Sequence, residues 1–241
     1  MSKGQAPALS AAAVRGELAA AASPAKARVM AGFFKTGKGE YGEGDQFWGV
    51  TVPAQRKIAR AYRGLPLGEL EKLLNSDLHE ERLTALFILV GRYQRGDAAA
   101  KQEAYDFYLQ HLSRVNNWDL VDSSAHQIVG EHLKDRDRAL LYRLAKSKRL
   151  WERRVAMIST YAFINAGEHD DTFKLAKALM HDEEDLMHKA VGWMLREVGK
   201  RIDADLLRGF LRSHAGDLPR TALRYAIEHF DQAERKAWLE K

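Results

Sequence analysis

A short basic and apolar segment recurs along the chain at a nearly constant distance. It reads E-R-L-T-A-L from residue 81, R-R-V-A-M-I from residue 153, H-K-A-V-G-W from residue 188 and P-R-T-A-L from residue 219. Counted through Arg82, Trp118, Arg154, Lys189 and Arg220, the steps are 36, 36, 35 and 31 residues. A period of roughly 35–45 residues with two helices per unit is typical of HEAT-type repeats, whose neighbours must stack to bury their apolar faces. The spacing therefore predicts an all-α fold, a right-handed solenoid of HEAT-like helical repeats.

Apolar residues follow helical spacing almost everywhere, and strand-like alternation is nearly absent. Prolines stand where helices are expected to begin, at Pro24, Pro53, Pro66 and Pro219. We expect residues 1–22 to form an Ala-rich N-terminal helical segment and residues 23–241 to form a single HEAT-like repeat domain.

The repeat also places basic side chains at equivalent positions. Corresponding helices of a solenoid line one wall, so Arg82, Arg154, Lys189 and Arg220 are expected to form a ladder on a concave basic face. The net charge of +5, from 38 Lys and Arg against 33 Asp and Glu, is modest by itself. Concentrated on one wall, it suits an elongated polyanion such as duplex DNA.

The composition excludes several classes of chemistry. The chain has no Cys, which rules out disulfides, thiolate metal sites and cysteine nucleophiles. His126 and His132 are six residues apart, no H-E-x-x-H occurs, and no G-x-S-x-G elbow is present, so we expect no metal and no cofactor. No apolar run approaches the ~18 residues of a membrane span. Arg15 and Glu17 interrupt the Ala-rich N-terminus before a signal-peptide core forms, so we expect a protein of the bacterial cytosol or nucleoid. A monomer is the simplest expectation for its oligomeric state.

One glycine motif has the form of a nucleotide-binding fingerprint. Gly37 to Gly42 matches G-x-G-x-x-G, but no strand precedes it and no helix begins within it. Glu40, Glu43 and Asp45 would also repel a pyrophosphate. We interpret the segment from Phe33 to Gly49 as an ordered connecting loop.

The run Asn117-Trp118-Asp119-Leu120-Val121-Asp122 sets a carboxylate one helical turn from an indole. By itself the run favours a core Trp with a capping Asn over a functional site. Arg154 and Trp193 lie on equivalent helices, however, so the four side chains are expected to converge. Two indoles would then pack on a sugar or base and Arg154 on a phosphate, while Asp122 would stabilise an oxocarbenium-like sugar.

Five segments carry a likeness to one known family. They are Ser23–Met30, Val50–Arg56, the W-D-x-V-D motif at Trp118–Asp122, a W-x-x-R segment at Trp151–Arg154 and K-A-x-G-W-x-L-R-E at Lys189–Glu197. With these segments, from about Ser23 to about Phe230, the chain resembles the AlkD family of DNA alkylation repair glycosylases, which have HEAT-like repeats.

The resemblance implies an activity and roles for four residues. The family excises positively charged N3- and N7-alkylated purines from duplex DNA and leaves an abasic site, without a metal or a lysine nucleophile. Asp122 would be the catalytic carboxylate that stabilises the sugar cation or positions water. Trp118 and Trp193 would cradle the deoxyribose, and Arg154 would hold a neighbouring phosphate.

Two departures and two other functions stay open. The loop from Phe33 to Phe47 is longer than the family segment, and Asn117 stands where an aromatic residue precedes the motif Trp. A non-catalytic HEAT-repeat protein that binds damaged or branched DNA is the main alternative, although such a binder has no need for Asp122. A protein-interaction scaffold is the other, and it predicts apolar or mixed residues in place of the basic ladder.

Overall fold

The computed structural model describes residues 8–240, so the parts of the predicted segments at residues 1–7 and 241 lie outside the described residues. Within that range the structure is helical and contains no strand. The all-α prediction is confirmed. The helices form two compact units, the first ending at Ser124 and the second beginning at Ala125. The handedness of a solenoid, its concave basic face and a single domain over residues 23–241 stay predictions.

The first unit is built around one long central helix. Its helices are α1 (Ala11–Ala20), α2 (Pro24–Phe33), α3 (Val52–Ala61), α4 (Leu67–Leu74), α5 (His79–Arg95), α6 (Ala98–Gln110) and α7 (Trp118–Asp122), with a 3₁₀ turn at Leu112–Arg114. Every residue of α5 from His79 to Val90 is buried, because α3, α4 and α6 pack around it. As predicted, Pro24 and Pro53 lie in the first turns of their helices, and Pro66 caps α4.

The part of the N-terminal segment that is described is helical and packs into this unit. Helix α1 buries Ala11, Val14 and Leu18 against α3, α4 and α5. Its first free N–H, on Ala11, donates to the Glu69 carboxylate at 2.8 Å. Burying a Val or Leu side chain contributes roughly 1.5–3 kcal/mol, so α1 is a stabilising part of the unit.

The second unit packs pairs of helices on α10 and α13. It begins with a π-helical stretch, His126–Gly130, followed by α8 (Glu131–Leu133), α9 (Ala139–Leu144), α10 (Leu150–Ser159), α11 (Tyr161–Asn165), α12 (Asp170–Leu179), α13 (Asp185–Arg201), α14 (Ala204–His214), α15 (Arg220–Ala226) and α16 (Gln232–Leu239). Gly192 lets α13 approach α15 closely, because a Cβ there would lie 2.3 Å from the carbonyl oxygen of Ala222. None of the helices between residues 8 and 240 is long and apolar enough to cross a membrane.

The predicted period recurs in the helices, but its basic positions differ in register. Helices α5, α7, α10, α13 and α15 begin at residues 79, 118, 150, 185 and 220. Arg82, Arg153 and His188 are each the fourth residue of their helix, and each hydrogen-bonds the carbonyl six residues earlier, at 2.8, 3.0 and 2.5 Å. Arg82 therefore corresponds to Arg153 and not, as the sequence comparison assumed, to Arg154.

Candidate functional site

Helix α7 carries the predicted Trp and Asp on one face. Leu120 and Val121 are fully buried on the opposite side, which leaves Trp118 and Asp122 half-buried one helical turn apart. Asn117 caps the helix, since its side-chain oxygen accepts from the Trp118 N–H at 2.8 Å. The two predicted functional side chains are thus presented together.

The indole of Trp118 is supported by aromatic rings from the end of α2. Phe34 stacks on it, with ring centroids 5.3 Å apart and 19° between the planes. The Phe33 ring meets it edge-on at 5.8 Å and is 62 % exposed. These two phenylalanines supply the support that the sequence comparison missed when it found Asn117 before the motif Trp.

The loop between α2 and α3 is fixed by two buried carboxylates. Asp45 accepts hydrogen bonds from Arg82 at 2.5 Å, from His79 at 2.9 Å and from Asn117 at 3.1 Å. Burial would raise the pKa of Asp45, but these hydrogen bonds and the charges of Arg82 and His79 lower it below its usual value. Glu80 fixes the end of the loop, because it accepts from the N–H groups of Trp48, Gly49 and Val50 at 2.7–3.1 Å.

Two amides of the glycine motif in this loop donate to carboxylates of the same loop. The N–H of Gly37 donates to Glu40 at 2.9 Å and that of Gly39 to Glu43 at 2.8 Å. The amides that a pyrophosphate would need are therefore already bonded within the loop. This agrees with the interpretation of the segment as an ordered connection.

Asp122 lies near a buried phenol. The Tyr108 hydroxyl and Ser124 Oγ are 3.0 Å apart, and Ser124 Oγ donates to the Leu120 carbonyl at 2.6 Å. Since the Ser124 proton is used there, the Tyr108 hydroxyl donates to Ser124. Burial raises the pKa of Tyr108, and the negative charge of Asp122 raises it further. Tyr108 is thus neutral beside the carboxylate.

In the second unit, Trp193 is held by a buried carboxylate. Its indole N–H donates to Glu197 at 3.2 Å, and Glu197 also accepts from Arg201 at 2.7 Å and from Arg196 at 3.2 Å. Burial would raise the pKa of Glu197, but the two arginines lower it. The ring of Tyr161 lies 6.2 Å from that of Trp193. The orientation of this indole is therefore set by an ionised Glu197.

The three basic residues of the predicted ladder that lie in the second unit differ in exposure. Arg154 is 4 % exposed, and its guanidinium donates to the Leu186 carbonyl at 2.5 Å. Lys189 pairs with Asp185 at 2.8 Å, with 38 % of its side chain exposed. Arg220 is exposed at the start of α15. Lys189 and Arg220 thus keep accessible charge.

Arg82 does not fit the predicted ladder. Its side chain is 1 % exposed, pairs with Asp45 and donates to the Ser76 carbonyl at 2.8 Å. The guanidinium is used to hold the loop between α2 and α3 against α5. It therefore has no exposed atom that could contact a phosphate. We correct the expectation for Arg82 accordingly, to a structural ion pair.

Between residues 8 and 240, no group of three His, Cys, Asp or Glu side chains is arranged to hold an ion.

The described residues form an all-helical fold with recurring helices, in which Trp118 and Asp122 lie on one face of the short helix α7. Residues 14–230 match the family model described as DNA alkylation repair enzyme, and the chain belongs to that family. In fold it is similar to a solved structure described as a predicted DNA alkylation repair enzyme from Enterococcus faecalis. The TM-score is 0.67 and the identity 19 %, covering 88 % of this chain and 97 % of that one. No curated protein matches the chain.

Proposed function

We propose that the protein is a monofunctional DNA glycosylase that excises positively charged N3- and N7-alkylated purines from duplex DNA and leaves an abasic site. The observation that carries the proposal is the Trp118–Asp122 pair. In a chain of the DNA alkylation repair family, buried Leu120 and Val121 turn these two side chains away from the core.

In this reaction, the bond between C1′ of the deoxyribose and the purine nitrogen breaks. The electron pair leaves with the base and neutralises its positive charge, so the leaving group needs no proton. C1′ becomes oxocarbenium-like, and a water oxygen adds to it while the water proton passes to solvent or to Asp122. The carboxylate of Asp122 stabilises the cation in the transition state.

The expected contribution of Asp122 is large enough to test. Opposite charges ~4 Å apart at an effective dielectric of ~20 interact by about 4 kcal/mol, an upper estimate for the transition state. Such a difference corresponds to roughly a thousandfold in rate. Asp122→Asn should therefore lose most excision of slowly released lesions while DNA affinity stays the same or rises, since a charge that repels phosphate is gone.

The other proposed roles concern binding. Trp118 and Trp193 pack on the deoxyribose of the damaged nucleotide, with their orientations set by Phe34 and by Glu197. Lys189 and Arg220 neutralise phosphates. Arg154, which is 4 % exposed, holds the phosphate next to the lesion once its guanidinium exchanges the Leu186 carbonyl for it.

The test is release of free base from duplex DNA treated with a simple methylating agent. Wild type is compared with Asp122→Asn and with Asp106→Asn, which removes an exposed carboxylate from α6 as a matched control. Release of methylpurines by wild type and by the control, with little by Asp122→Asn, supports the proposal. Tight duplex binding without release would favour the non-catalytic DNA-binding protein. Neither binding nor release would favour the interaction scaffold.

A further inference from the structure

The imidazole of His79 lies between two carboxylates from different parts of the first unit. Nδ1 is 2.9 Å from Asp45 of the loop, and Nε2 is 2.8 Å from Asp119 of α7. His79 is 2 % exposed. A proton on both ring nitrogens is required for both hydrogen bonds to form, because a carboxylate only accepts.

The bond to Asp119 bears directly on the proposed active site, since Asp119 lies between Trp118 and Asp122 on the five-residue α7. Its Oδ2 accepts from His79, and its Oδ1 is buried without a hydrogen-bond partner among the described residues. His79 is therefore the group that compensates this carboxylate. Without that proton, a buried charge at the start of α7 would be left uncompensated, which is costly.

A second route from His79 to Trp118 runs through ring contacts. The imidazole contacts both Phe34 and Phe47, with its centroid 4.8 Å from each of theirs, and these two rings also stack on each other. Phe34 also contacts the rings of Phe33 and Phe47, and it stacks on Trp118. A cation is attracted to aromatic faces, so a charged imidazole also holds the ring that supports the indole.

We propose that His79 is a positioning residue of the glycosylase site, which in its doubly hydrogen-bonded form fixes Trp118 and Asp122 through Asp119 and Phe34. The inference rests on the proposed function for its effect on excision, although its effect on Trp118 is independent of that function. His79 touches no reacting atom.

The protonation of His79 follows from its neighbours. Burial lowers the pKa of His79, but the charges and hydrogen bonds of Asp119 and Asp45 outweigh burial and raise it to about 9. The other charged groups around it are Arg82, which pairs with Asp45, and Glu80, which faces the loop amides. His79 is thus charged at neutral pH and loses its proton as the pH rises through about 9, when one of the two carboxylates loses its donor.

A pair of variants separates positioning from folding. His79→Leu removes both bonds and should lower the single-turnover excision rate by about 10- to 100-fold at every pH, with a much smaller change in DNA affinity. In Asp119→Asn the new amide donates to a neutral imidazole or accepts from a charged one. This variant should stay active and should lose the alkaline decline that wild type shows near pH 9. His229→Leu replaces an exposed histidine as the matched control.

The spectroscopic readout is the ¹⁹F resonance of Trp118 in protein labelled with 5-fluorotryptophan, assigned through Trp118→Phe. We expect it to titrate near pH 9 in wild type and His229→Leu, and to show no inflection near pH 9 in Asp119→Asn, because Asp119 is the largest of the groups that raise the pKa of His79. If the ¹⁹F chemical shift of Trp118 in wild type does not change with pH near 9, the inference is overturned even if His79→Leu fails to fold. If wild type releases no methylpurine but Trp118 titrates as described, the proposed function fails and the positioning role stands.

Discussion

At the scale of single residues, the spacing predicted that Trp118 and Asp122 share a face but did not predict the residues that support them. Trp118 and Asp122 are one turn apart in the chain, so their common face follows from helix geometry. Phe34, Asp45 and His79 come from distant segments, and nothing local in the sequence reports that an Asp in a glycine-rich loop pairs across more than thirty residues. Because Arg153 and Arg154 are adjacent, the sequence alone did not show which of them corresponds to Arg82. The choice matters, since one residue along a helix is a rotation of about 100°.

Arg82 and Lys189 are expected to behave in opposite ways. Arg82→Ala leaves Asp45 buried with one fewer partner and should lower the free energy of unfolding by about 3–5 kcal/mol. Lys189→Ala should leave stability nearly unchanged and reduce the salt dependence of DNA binding by about one phosphate contact. Urea unfolding and binding at several salt concentrations check both. If a folded Arg82→Ala protein showed a reduced salt dependence of DNA binding, Arg82 would contact a phosphate after all.

At the scale of elements, helix starts and apolar faces were readable from the sequence, whereas close approaches between helices were not. Pro24, Pro53, Pro66 and Pro219 mark helix starts because proline suits a position that needs no N–H donor. The contact of α13 with α15 depends on the missing side chain at Gly192, one residue from Trp193. A glycine in a helix has no local signature that distinguishes close packing from chance.

Gly192→Ala should therefore be destabilising although alanine favours helices. The added methyl would lie 2.3 Å from the Ala222 carbonyl oxygen and 2.6 Å from Tyr225 Cβ, so α13 must shift, at a cost of about 1–3 kcal/mol. The control is Gly209→Ala in α14, where the nearest atom is the tip of Arg212 at 3.7 Å. There the same change should stabilise by roughly 0.5–1 kcal/mol. Denaturant unfolding measures both, and equal effects would contradict the packing argument.

At the scale of the whole molecule, the repeat period predicted an all-helical chain, and the family model covers most of its length. The division into two compact units was not predicted, because contacts between helices depend on side-chain shape in three dimensions and the period alone continues through residue 124.

Stability of the folded chain should depend on pH in both directions. His79 has its pKa raised from 6.5 to about 9, so its contribution is complete below pH 6.5 and is lost as the pH rises through about 9, by up to about 3 kcal/mol. Asp45 and Glu197 have lowered pKa values, so their contributions are present above their ordinary values and are lost as the pH falls. Unfolding free energies between pH 4 and 10 test this, and a wild type that keeps its stability to pH 10 would refute the His79 contribution.

The carboxylate of Glu80 gives one stretch of loop the behaviour of a core element. Trp48, Gly49 and Val50 belong to no helix, yet their N–H groups all point at one buried acceptor. An amide exchanges its hydrogen with solvent only when its bond opens, and these three share an acceptor, so they should open together. Hydrogen exchange should then show three slowly exchanging amides within a connecting segment, and their protection should be lost together as a single cooperative unit.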